Sequence, residues 1–377
     1  MKISLNSTLA KIPPSGIRKF FEIVAEQADV ISLSVGEPDF AAPWCVREAA
    51  IAALESGETH YSPNKGYSEL REEIVKYFSK RFGVNYSAEN EVLVGNGASE
   101  IFDIVIRAIL NQGDEVILFS PSYVMYAPLI QLAGGETVSV KKIAEISQKV
   151  SDKTKAIVLN YPANPTGETF SRKELQKIAE IAEKNNLLVI SDEIYAELTY
   201  EKTHIAFASL TGMRKRTVTI SGFSKAFALT GLRMGYLLAD KKIVDAANKI
   251  HQYSALCANS ISQKAALEAL RNCQHEVKKM REEYKLRRDF LTRELNKIGF
   301  KVKKPAGAFY LFLDVKKRTG MSGEEFALKL LKNKKVAMVP GSAFGQEFED
   351  FVRISYATSL KDLEIAFVRI KEFCARL

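Results

Sequence analysis

Up to about residue 240, short runs of β-branched and aliphatic residues alternate with longer amphipathic stretches. The runs "EVLVG" (91–95), "EVILF" (115–119), "TVSVK" (137–141), "KAIVLN" (155–160), "LLVIS" (187–191), "TVTIS" (217–221) and "MGYLLA" (234–239) read as strands. Helical patterns lie between them. In "SEIFDIVIRAIL" the apolar positions Ile101, Ile104, Val105, Ala108 and Ile109 recur at the helical period. "RKELQKIAEIAEKNN" follows Ser171, a candidate N-cap with Glu174 as its capping-box partner. This alternation predicts an α/β fold with a mostly parallel, seven-stranded sheet between helices. After about residue 242 the pattern changes to two long helical segments, roughly 242–272 and 275–298. A smaller α+β unit follows, built from "AFYLFLDV", a helix near 323–333, "VAMVPG", "FVRISYA" and a terminal helix. With 377 residues the chain exceeds what one core usually holds. The expected division is a large domain of residues 44–272 and a small one of residues 1–43 with 273–377.

Composition narrows the function classes. Hydrophobic residues make up 46% and charged residues 26%, as in an ordinary globular protein. No uncharged apolar run reaches membrane-spanning length, and the start "MKISLNSTLAKIPPSG" lacks the apolar core of a secretion signal. The four cysteines, Cys45, Cys257, Cys273 and Cys374, form no CxxC pair. They predict reduced thiols in a cytoplasm, with neither a disulfide framework nor a zinc site. The four histidines show no metal spacing, so no metal is expected. The net charge is +9, but Lys and Arg are spread along the chain and mixed with Glu, as in "KKMREEYKLRR". That reads as solvated helix face, not as a nucleic-acid surface, and leaves a mild attraction for small anions.

In an open α/β sheet, ligands bind beyond the carboxyl ends of the strands. After 91–95 comes "NGASE", a glycine turn opening into a helix, whose free N–H groups suit a phosphate. After 115–119 comes "SPSY", which puts Tyr123 near the crevice or merely into packing. "YPANPTG" follows 155–160 and holds the Asn164 amide between two prolines. "DEIY" follows 187–191, where Asp192 is either a helix cap or a site carboxylate, with Tyr195 one turn on. After 217–221 come Lys225 and, eight residues later, Arg233. A planar, phosphorylated, nitrogen-containing aldehyde would use all of these groups, and pyridoxal phosphate fits that description.

The motifs "SGFSKAFALTGLRMGY", "NYPANPTG", "SDEIYAELTYE", "HYSPNKGYSELREEI" and "FVRISYATS" together resemble the class I/II pyridoxal-phosphate aminotransferases of fold type I. The likeness runs from about residue 15 to near the C-terminus, and is greatest to the prokaryotic aspartate, aromatic and N-acetyl-diaminopimelate aminotransferases. The resemblance implies that Lys225 bonds to the cofactor aldehyde and that Asp192 partners the pyridine nitrogen. Asn164 and Tyr195 would face the ring's phenolate oxygen, and Tyr123 would stack on the ring. Gly97, Ala98, Ser99, Ser224 and Arg233 would take the phosphate. Arg353 would bind the substrate α-carboxylate as a fork, with Asn164 and the backbone of Gly36 beside it. Tyr61 would reach the phosphate in a neighbouring subunit, which implies a homodimer with shared sites. Cis bonds are implied at Ser120–Pro121 and Asn164–Pro165.

Three departures from the family pattern stand out. Gly222 occupies a place where many relatives carry serine, Leu232 replaces a frequent tryptophan, and the 141–152 segment is short. The resulting expectation is a ping-pong transaminase moving the α-amino group of aspartate or an aromatic amino acid to a 2-oxo acid such as 2-oxoglutarate. Alternatives are N-acetyl-diaminopimelate transamination, or a carbon–sulfur β-lyase or decarboxylating synthase on the same scaffold. A non-catalytic cofactor sensor would need a DNA-binding extension, and a dinucleotide enzyme would need GxGxxG after the first strand, where there is none. No motif names the reader of the substrate side chain. Lys65 or Arg18 would suit an acidic one; "GAFYLF" or Tyr126 would suit an aromatic one.

Overall fold

The computed structural model of the chain describes residues 6–14, 16 and 29–377. In chain order the strands are β1 (Ile31–Ser32), β2 (Val92–Gly95), β3 (Glu115–Phe119), β4 (Glu136–Val140), β5 (Thr154–Asn160), β6 (Leu188–Asp192), β7 (Thr217–Gly222), β8 (Gly235–Leu238), β9 (Tyr310–Asp314), β10 (Val336–Ala337), β11 (Val339–Pro340) and β12 (Phe351–Ser355). Seven of them form one sheet in the order β2-β8-β7-β6-β5-β3-β4. Strands β3 to β7 run parallel, and β8 lies antiparallel between β2 and β7. The central strands are buried on both faces, which is why they read as continuous apolar runs instead of alternating ones.

The helix Arg172–Lys184 starts as its sequence implies. Ser171 Oγ accepts from the Glu174 N–H, and Glu174 accepts from the Ser171 N–H at 2.8 Å. Leu175, Ile178, Ala179 and Ala182 then face the sheet. The segment expected as one helix over 242–272 is instead two, Lys241–Ser254 and Ser260–Asn272. The helix is broken around Leu256, at φ 67°, and Asn259 caps the second helix by accepting from the Ser262 N–H. "VAMVPG" likewise divides between two sheets: β10 pairs with β1, while β11 joins β12 and β9.

The expectation of four unpaired thiols is overturned. Cys45 and Cys273 are joined as a disulfide, with Cα atoms 6.5 Å apart; Cys257 and Cys374 are free. The pair lies 228 positions apart, brought together because helix Trp44–Glu55 packs along helix Ser260–Asn272. A reducing compartment inferred from thiol spacing loses its premise for this pair. Among the described residues no group of His, Cys, Asp or Glu could hold a metal, and no helix is long and apolar enough to cross a membrane.

Candidate active site

A cavity of about 530 Å³ opens at the carboxyl ends of β5, β6 and β7. It is closed on its other sides by the start of helix Ala98–Ile109, by Gly36, and by β9 and β12 of the smaller sheet. A larger cavity of about 700 Å³ lies nearby among Lys141, Lys177 and Phe170, but neither Lys225 nor an arginine lines it. The smaller cavity brings together Lys225, Asp192, Arg233 and Arg353, the first two with strongly shifted pKa values, and it is the candidate site.

Lys225 stands in the turn after β7, with Nζ donating to the Gly36 carbonyl at 2.6 Å. Burial pulls its pKa down to about 8; Arg353 and Arg233 push the same way, while Glu37 and Asp192 oppose. Asp192 ends β6 and accepts from the Tyr126 hydroxyl at 2.6 Å and from the Ile194 N–H at 3.1 Å. Burial raises its pKa to about 6, against the lowering effect of those two bonds. Tyr126, expected as an apolar wall for an aromatic substrate, lines the cavity with its hydroxyl bonded to Asp192.

The neighbouring carboxylate, Glu193, points away from the cavity. It is buried and bonded to His204 at 2.9 Å, to the Ser191 hydroxyl and to the Phe207 N–H. Strand alternation separates the two acids, so Asp192 lines the cavity and Glu193 does not.

Arg353 is buried on β12. Its Nη1 donates to Asn164 Oδ1 at 3.0 Å and its Nη2 to the Ser34 carbonyl at 2.6 Å, while Nε has no hydrogen-bond partner. Its guanidinium lies 4.5 Å from the Tyr310 ring centre. Tyr195 shares a 2.8 Å hydrogen bond with the Tyr310 hydroxyl. Tyr310 was not singled out by residue pattern; its only signal was the aromatic run "GAFYLF". A Cβ on Gly36 would sit 2.6 Å from that same hydroxyl, so glycine is what admits it.

At the opposite end, Gly97 at φ 94° caps helix Ala98–Ile109, and Ala98 and Ser99 expose the helix's first turn to the cavity. A Cβ on Gly97 would lie 2.5 Å from Arg233 Nη2, so the guanidinium is packed onto the helix start. Gly235 allows this approach, since its own Cβ would be 2.5 Å from the Ala98 nitrogen. Gly222, in place of a serine, sits where a side chain would meet the Met234 carbonyl at 2.7 Å. Leu232 packs at the edge of the core below. Ser224 and Tyr123 line the cavity. The peptide bonds before Pro121 and Pro165 are cis as expected, and so is that before Pro162.

Lys65 and Tyr61, the latter expected to serve a neighbouring subunit's phosphate, do not line this chain's own cavity. Tyr61 is 83% exposed on the surface. Lys65 is paired with Asp245 at 3.0 Å, outside the lining of this chain's own cavity. Arg18 lies outside the described residues.

The arrangement offers an amine with a lowered pKa, a buried carboxylate, a helix N-terminus with an arginine, and a second arginine with a free donor. Residues 28–370 match the family described as Aminotransferase class I and II. The Bacillus subtilis (strain 168) protein YugH is 50% identical over 378 residues, covering 98% of each chain. An aspartate aminotransferase of Pyrococcus abyssi (strain GE5 / Orsay) is 42% identical, again over 98% of both. The solved structure of an aromatic aminotransferase from Pyrococcus horikoshii OT3 superposes with a TM-score of 0.89 at 40% identity, covering 96% of this chain and 99% of that one.

The chain belongs to the class I and II aminotransferases. It is a transaminase of fold type I, in a family that generally depends on pyridoxal phosphate. In this aminotransferase the cavity residues suit that group: a phosphate fits the cationic helix start, and a ring nitrogen fits the buried Asp192.

Proposed function

We propose that this aminotransferase holds pyridoxal 5′-phosphate in the 530 Å³ cavity and moves the α-amino group of an amino acid, aspartate or aromatic, to a 2-oxo acid such as 2-oxoglutarate in ping-pong fashion. The observation that carries the reading is Lys225: an amine with its pKa lowered to about 8, in one cavity with Asp192 and two arginines. When bound, the cofactor supplies an aldehyde carbon for the substrate nitrogen and a protonated ring that draws electrons from the α-carbon. Asp192 keeps the ring proton in place, and the neutral Nζ of Lys225 takes up and passes on the substrate's Cα proton. The N–H groups of Ala98 and Ser99, the Ser224 hydroxyl and Arg233 hold the phosphate, while Gly97, whose own N–H goes to the Gly95 carbonyl, contributes the room for Arg233 at the helix start. Tyr123, Asn164 and Tyr195 orient the ring. Borohydride reduction of the cofactor-loaded protein, followed by peptide mapping, tests this: the label belongs on Lys225, and any other position refutes it.

Arg353 receives the substrate α-carboxylate, with Asn164 and Gly36 beside it. Arg353→Ala is expected to lower kcat/KM for amino acids by about 2 to 5 kcal/mol, roughly 30- to several-thousand-fold. Amines that lack the carboxylate should lose far less, and an equal loss for both would remove this role. Gly235→Ala should push back the start of helix Ala98–Ile109 and weaken cofactor affinity by about 1 to 3 kcal/mol, roughly 5- to 150-fold. Equilibrium dialysis reads this, and an unchanged affinity in folded protein argues against the cradle.

The same reading includes a homodimer with shared sites, in which Tyr61 reaches the partner's phosphate. It is supported by the exposure of Tyr61 (83%), Tyr253 (86%), Trp44 (59%) and Leu54 (57%) in the single chain. It also includes a large domain of residues 44–272 and a small one of 1–43 with 273–377, supported by the pairing of β1 with β10. It also includes a cytoplasmic location, supported by the free thiols of Cys257 and Cys374 and opposed by the Cys45–Cys273 disulfide.

A further inference from the structure

Tyr310 lines the cavity, and the reading proposed above gives it no task. It is buried at the start of β9, in the smaller sheet. Tyr310 stands opposite Ser355 of β12, and Arg353 stands opposite Phe312. Opposed and alternate residues share a face, so Tyr310 and Arg353 are diagonal neighbours, and the ring can lie against the guanidinium as observed. The far end of the side chain leaves that sheet. Its hydroxyl is 2.8 Å from that of Tyr195, which follows β6 of the larger sheet.

Proton counting fixes the direction of that hydrogen bond. Burial holds both phenols in their neutral form, so each has one proton to give. Once Tyr195 donates to the ring's phenolate oxygen, it can only accept from Tyr310. A hydroxyl that accepts one bond is polarised into a stronger donor for the next. The second group assigned to the ring oxygen, Asn164, is itself bonded to Arg353. Tyr310 and Arg353 thus stand together behind both of them.

We infer that Tyr310 is a positioning residue that ties the two ends of the reacting centre together: its hydroxyl strengthens the hydrogen bond from Tyr195 to the cofactor's ring oxygen, and its ring sets the plane of the Arg353 fork. This rests on the cofactor, Tyr195 and Arg353 roles proposed above. The ring oxygen lends its negative charge to the proton on the Lys225 nitrogen once that nitrogen is bonded to the cofactor. A stronger bond from Tyr195 draws off part of that charge and lowers the nitrogen's pKa.

The test starts from Tyr310→Phe, which keeps the ring and removes the hydroxyl. In cofactor-loaded enzyme titrated by visible absorbance, the pKa of the band should rise by about 0.3 pH unit or more. The other groups facing Lys225, namely Glu37, Arg353, Arg233 and Asp192, are unchanged in that variant. On a Tyr195→Phe background the same substitution should add no shift, because its route to the cofactor is gone. Tyr310→Leu removes the ring as well. It should match the band pKa of Tyr310→Phe, yet bind the unreactive acids 3-phenylpropionate and succinate about threefold more weakly than Tyr310→Phe by calorimetry. An unmoved band in Tyr310→Phe, or an equal shift with and without Tyr195, would overturn the role of the hydroxyl. Equal acid binding by the two Tyr310 variants would overturn that of the ring. Wild-type protein that gains no visible band with pyridoxal 5′-phosphate would sink the cofactor assignment, and this inference with it.

Discussion

Lys225→Ala is expected to abolish turnover, a loss of at least roughly 10⁴-fold, and to remove the cofactor's visible absorbance band. No other lysine lines the cavity among the described residues, so no second amine stands ready to replace it. The lowered pKa of about 8 makes a finer expectation possible. Only the neutral amine attacks an aldehyde. At pH 7 about a tenth of such a lysine is neutral, against about 0.03% for one at its ordinary value. Capture of the cofactor by apoprotein should quicken about tenfold per pH unit below pH 8 and level off above it. Stopped-flow absorbance measures this. A profile still climbing at pH 10, or substantial transamination by the alanine variant, would contradict the assignment.

The second large effect concerns Asp192. Asp192→Ala should cut turnover by roughly 10² to 10⁴-fold while leaving most cofactor affinity intact. The phosphate end and Lys225 are untouched by the change, whereas the carboxylate that keeps the ring proton is gone. Dialysis for affinity and single-turnover rates for chemistry separate the two, and equal rates for variant and wild type would refute the role. Tyr126 is the group that conditions Asp192. Its 2.6 Å hydrogen bond helps hold the carboxylate ionised against the effect of burial, which raises the pKa to about 6.

Much of the sheet was legible because a strand buried on both faces is a short apolar run bounded by turn residues. The seven predicted strands lie within about a residue of those observed. The Ser171–Glu174 capping box was equally legible, since its partners lie three residues apart. Lys225, Arg233, Asp192 and Asn164 could be found because each follows a strand, where the topology puts ligands.

Contacts between distant segments were not legible. Helix Trp44–Glu55 buries only Val46 and Ala53, so it has no strong apolar stripe to announce it, and its disulfide partner lies 228 positions away. Lys65 near Tyr61 looked like a spare cation until the fold set it against Asp245.

By itself the sequence determined the kinds of chemical group carried at the strand ends, because local periodicity and turn chemistry act over a few residues. Only the tertiary structure decided what those groups can do. Arg353 meets Asn164 across 189 positions, Tyr126 meets Asp192 across 66, and Tyr310 meets Tyr195 across 115. A pKa or a free donor depends on burial and on neighbours in space, and folding brings these from segments whose separation along the chain carries no signal.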